Sequence, residues 1–134
     1  FDGVVYAVSV GLGFALWENI SYVLMYGLST ALVRAVTAVP GHACFGVFMG
    51  VWYGLAKRLH GQGRDSASKL CRVLALLLPA LLHGCYDFNA SIESVHYGWL
   101  FAAFVAILFV LAFILVRRQA RHDRYINNYD AEYL

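Results

Sequence analysis

Apolar residues in this chain run in long blocks, and the polar residues between them are few and clustered. Four blocks stand out: 4–28, whose sole charge is Glu18; 35–56, without Lys, Arg, Asp or Glu; 70–88, shorter and interrupted by Pro79; and 97–116, again without a charge. A helix that crosses a bilayer needs about 20 apolar residues, with a range of about 17 to 25. The pattern predicts an all-α polytopic membrane protein. Its transmembrane bundle would occupy 1–116 with four helices, as part of a larger helical bundle, and a basic, polar cytoplasmic tail would follow over 117–134. The third span is expected to begin near Leu70, with Lys69 and Arg72 reaching outward to the headgroups.

Composition agrees with the pattern. Of 134 residues, 61% are hydrophobic and 13% charged, about half the charged share of a soluble domain. The net charge of +2 matters less than its distribution. Lys57, Arg58, Arg64 and Lys69 lie between the second and third blocks with Arg72 just inside the third, all on one side, and Arg117, Arg118, Arg121 and Arg124 follow the fourth. The opposite side would hold Arg34, Glu93 and Asp87. The positive-inside rule then puts residue 1, the 57–72 loop and the C-terminus in the cytoplasm of a multi-pass cell-membrane protein. The basic clusters read as topology and lipid-headgroup contact, not as a nucleic-acid surface. Cys44, Cys71 and Cys85 are odd in number and form no CxxC, so they read as packing residues. The chain opens on Phe1 rather than Met, which predicts a fragment or a processed product.

Small residues form stripes along two of the blocks. Gly3, Ala7, Gly11 and Ala15 recur every four residues in the first, and Gly46, Gly50 and Gly54 in the second. Such stripes let helix backbones approach closely. One step before Gly46 is His42; in the third block the same step links Pro79, His83 and Asp87. Counting residues gives depth. Glu18 is 14 residues past Val4, His42 is 14 before Ala56, and His83 is 13 past Leu70. At 1.5 Å per residue each lies about 20 Å from the cytoplasmic edge. One carboxylate and two imidazoles from three helices would share one level.

An acidic side chain near a helix centre costs roughly 2.5–3.5 kcal/mol on insertion, so it normally faces the bundle interior and a partner. Glu18, His42 and His83 are therefore the candidate catalytic residues. Asn19, Tyr22 and Asp87 are supporting: Tyr22 shares the Glu18 face, Asn19 is turned toward a neighbouring helix, and Asp87 lies one turn beyond His83. Two chemistries are open. Glu18, His42 and His83 could hold Zn²⁺ with a free position for water. Without metal, Glu18 would act as a general base toward water while a histidine polarises the scissile carbonyl. The bland alternative is a structural polar network in a non-catalytic scaffold, and an ion or proton pathway is a third reading.

Three segments carry a resemblance. "GLGFALWENISY", "VPGHACFGVFMGVWYGLAK" and "LLHGCYDF" resemble the PrsW family of intramembrane proteases, within the larger group of CAAX prenyl endopeptidases and bacteriocin-immunity-type proteins. The F-x-x-x-E-N-x-x-Y pattern is matched by Phe14, Glu18, Asn19 and Tyr22. The His of a glycine-striped helix is matched by His42 with Gly46 and Gly50, and H-x-x-x-D by His83 and Asp87. The resemblance implies an endopeptidase that cuts a membrane-protein substrate, such as a membrane-bound anti-sigma factor. It also implies an E-E-x-x-K motif on an earlier helix, which this chain lacks; the piece alone is then expected to be catalytically incomplete. The resemblance also implies the scaffold alternative, because the same superfamily includes a structural subunit of a presenilin-type protease complex.

Overall fold

The computed structural model describes residues 1–92 and 95–122, with the side chains of Val95 and His96 left aside. Glu93 and the tail from Asp123, including Arg124, lie outside the described residues. Within them the chain forms four α-helices and no strand: α1 (Asp2–Tyr26), α2 (Leu28–Gly61), α3 (Asp65–Ala90) and α4 (Val95–Arg121). All four are long and apolar enough to cross a membrane. Helices suit these sequences because lipid offers no partner for a free backbone N–H or C=O. The hydroxyls obey the same constraint. Ser9, Ser21, Thr30 and Thr37 each donate back to the carbonyl four residues earlier in their own helix or the preceding turn.

The helices are longer than the apolar blocks. Gly27 ends α1 at φ 84° and donates its N–H to the Val23 carbonyl. A residue with a Cβ rarely adopts that φ, and with Gly27 there α2 begins at the next residue. α2 therefore starts at Leu28, not near residue 35, and Arg34 is inside a helix instead of on a connecting loop. At the other end, α3 begins at Asp65. The buried Ser68 hydroxyl donates to the Ala56 carbonyl at 2.8 Å and ties the start of α3 to the end of α2.

α2 is the central helix: 44% of its apolar stretch is buried, against 11–22% in the others. α1 runs antiparallel to it, so that Gly3 meets Gly50, Val8 meets Gly46 and Gly11 meets the His42 carbonyl. A Cβ on Gly46 would lie 2.8 Å from Ala7 O, and one on Gly50 would overlap Val4 Cα. The stripe expected to continue through Gly54 does not: a Cβ there meets nothing within 4 Å. A four-residue step turns 400°, so the stripe drifts about 40° per step and leaves the interface.

α3 packs along α2, and α4 packs on both. Ala38, Phe45, Phe48, Tyr86 and Leu108 form one core, and Val4, Cys44, Val47 and Ala112 a second. Tyr86 meets Phe45 and Phe101 edge-on, at 6.2 and 5.0 Å between centroids. Such pairs add about 0.5–1.5 kcal/mol each beyond their buried area. Among the described residues α1 packs on α2 and makes little contact with α3. The result is a groove with α2 as its floor and α1 and α3 as walls. Outer faces expose large apolar side chains such as Trp17, Leu24, Leu76 and Trp99, as a lipid-facing surface does.

Candidate functional site

The groove holds the polar residues. Glu18 projects from α1, His42 from α2 and His83 from α3, and one ligand atom from each lies within 4.8 Å of the others. Antiparallel packing explains how Glu18 and His42 meet. Gly11, nearly two turns before Glu18, is the residue that abuts the His42 carbonyl. Side chains lean toward the N-terminus of their own helix, so on antiparallel neighbours these two lean toward each other. His42 Nε2 reaches Glu18 Oε2 at 3.0 Å. The His42 ring, buried, faces His83 with centroids 4.9 Å apart.

Aromatic rings fix the imidazoles. Phe45, one turn below His42, stands edge-on to His83 at 5.5 Å and to His42 at 5.8 Å. Phe14, one turn before Glu18, reaches over both imidazoles from the α1 wall, at 5.5 Å from His42 and 6.4 Å from His83. The residues read as supporting divide. Asp87 Oδ2 lies 3.5 Å from His83 Nδ1, with half of its side chain exposed, and faces His83 rather than Glu18 or His42. Asn19 Nδ2 reaches the Ala31 carbonyl of α2 at 3.5 Å, the long limit of a hydrogen bond. Tyr22 lies beneath Arg34, whose Cζ is 3.6 Å from the ring centroid. His60 pairs with Asp65 outside the groove, and His122 bonds the Arg118 carbonyl.

Sequence reasoning missed Arg34. Its Nη2 is 2.6 Å from Glu18 Oε2, so the same oxygen takes both Arg34 and His42. A signal was present: Arg34, Ala38, His42 and Gly46 continue the four-residue stripe upward.

Apolar helices spanning a bilayer, with a carboxylate and two imidazoles gathered in a groove between three of them, define a polytopic membrane protein with an intramembrane polar site. Residues 1–116 match the profile of the PrsW family, described as intramembrane metalloproteases, and the chain belongs to that family. It is similar to Protease PrsW of Bacillus subtilis (strain 168), with 39% identity over 127 residues, 95% of this chain and 54% of that protein. Protease PrsW of Halalkalibacterium halodurans is 37% identical over 124 residues, 92% of this chain and 55% of its own length. That of Clostridioides difficile (strain 630) is 31% identical over 127 residues, 92% and 48% respectively. The chain thus spans about half the length of the curated relatives it matches. No solved structure matches it.

Proposed function

We propose that this chain carries catalytic residues of an intramembrane endopeptidase that hydrolyses a peptide bond of a membrane protein. The observation that carries the reading is the gathering of Glu18, His42 and His83 within 4.8 Å from three helices. In this reading Glu18 takes a proton from the attacking water, the water oxygen bonds the scissile carbonyl carbon, and an imidazole donates to the developing oxyanion. The C–N bond then breaks, and the departing amine takes up the proton. Asp87 orients His83 through its Nδ1.

One carboxylate oxygen and two imidazole nitrogens fit the donor set of a catalytic zinc with three protein ligands. The family description as metalloproteases favours that version. Bound there, Zn²⁺ would supply Lewis-acid activation of water. The substrate class we assign is a membrane protein, with a membrane-bound anti-sigma factor as the specific case implied by the PrsW resemblance. The lipid bilayer is the other partner we assign. The basic end of the bundle, with Lys57, Arg58, Lys69, Arg72, Arg117 and Arg118, would face the cytoplasm by the positive-inside rule.

The Arg34–Glu18–His42 contacts also bridge α1 and α2, as structural glue in a scaffold subunit would. Chelation separates the readings. In the full-length gene product in detergent, a strong zinc chelator is expected to lower cleavage of a membrane substrate at least about a hundredfold, with recovery on adding Zn²⁺. Cleavage that survives chelation identifies the metal-free mechanism. A full-length protein that cleaves no membrane substrate under either condition leaves the scaffold reading standing.

A further inference from the structure

Arg34 sits where a charge is costly. It lies inside α2, with 14% of its side chain exposed, among apolar helix faces. Its guanidinium is clamped twice: Nη2 against Glu18 Oε2 at 2.6 Å, and Cζ over the Tyr22 ring at 3.6 Å. Glu18 and Tyr22 are one turn apart on α1, so both clamps come from one helix face. Nε is buried and has no hydrogen-bond partner among the described residues. A purely adhesive role explains this poorly, because replacing a buried ion pair by packed apolar residues is often neutral or stabilising. Arg34 and His42 both engage Oε2, so one carboxylate oxygen of α1 is held between two side chains of α2. The planar guanidinium, with Cζ 3.6 Å over the Tyr22 ring, holds its contact to Oε2 in one place in a way a flexible ammonium does not.

We propose that Arg34 is a positioning residue: it anchors the Glu18 carboxylate through Oε2, the oxygen that also meets His42, and so holds Glu18 beside the imidazole pair. This rests on the reading of Glu18 as a catalytic group. Arg34 itself does not touch substrate. Removing it would cost turnover and leave substrate binding intact.

The test is a double-mutant cycle in the full-length gene product, purified in detergent, with single-turnover and steady-state cleavage of a membrane substrate. Arg34→Met is expected to lower kcat about 10- to 100-fold with KM unchanged, and Arg34→Lys to recover part of the loss. In the Glu18→Gln background, Arg34→Met should add no further loss, because the group it acts through is already gone. Multiplicative losses in the double variant would overturn the proposal, since Arg34 would then act by a separate route. An Arg34→Met protein that aggregates while Glu18→Gln is monodisperse would also overturn it, making Arg34 structural. Parental kcat in Arg34→Met beside a dead Glu18→Gln would sink this inference alone. Parental cleavage by Glu18→Gln would sink the catalytic reading of Glu18 and this inference with it.

Discussion

Replacing Glu18 by Gln in the full-length gene product is expected to lower cleavage of a membrane substrate at least about a hundredfold, the scale of losing a general base. The substitution is nearly isosteric and can still accept from Arg34 and His42, so the α1–α2 contacts survive while proton acceptance and charge are lost. His42→Ala should match it. This removes the imidazole that touches Glu18 at 3.0 Å and, in the metal version, one of three ligands. His83→Ala should be similarly damaging, because its ring lies 4.9 Å from that of His42 and completes the donor set. Asp87→Asn should cost only about tenfold, as a partner that orients a histidine does. His60→Ala and His122→Ala should leave the rate unchanged, since both side chains are engaged outside the groove. Each variant must insert normally and elute as the parent does. Parental cleavage by Glu18→Gln and His42→Ala would reduce the cluster to a polar adhesive between helices.

Much of this geometry was legible because a helix converts sequence into height at a constant rate. Counting from three span ends put Glu18, His42 and His83 near one level, and their side chains meet in the groove. The small-residue stripes gave the azimuth: Gly46 and Gly50 mark the α2 face that α1 covers. The misplacement of Arg34 has its origin in where a helix starts. Hydropathy reports the membrane-immersed stretch, whereas a helix continues until its backbone is forced out. Gly27 is the single residue between α1 and α2, so residues read as loop became two further turns of α2. Arg34 moved with them, from a flanking charge to the partner of Glu18. The aromatic contacts were beyond sequence reasoning, because Phe14 and Phe45 meet His83 only through the crossing of three helices.

Gly50→Val should disrupt the bundle and abolish activity together. Between apolar helices in lipid there is no hydrophobic drive to hold contact, so van der Waals packing at close range does that work. The α1–α2 crossing is such a close approach. A Cβ at Gly50 would overlap Val4 Cα and lie 2.7 Å from Gly3 O; at Gly46 it would lie 2.7 Å from Val8 Cα. The obstructing atoms are backbone, so no rotamer change relieves the clash and the helices must separate. Even Gly50→Ala should cost about 1–3 kcal/mol, the usual scale of overpacking. The chemistry is more sensitive than the stability. Glu18 and Arg34 or His42 sit on opposite sides of this crossing, and a displacement of about 1 Å can cost a hundredfold in rate. Gly54→Ala is the internal control: its Cβ meets nothing within 4 Å, so both stability and cleavage should stay at parental values. Thermal unfolding in detergent, read beside cleavage of the same samples, checks all three variants. Gly50→Ala as stable and active as Gly54→Ala would show that the crossing does not set the spacing of Glu18 and His42.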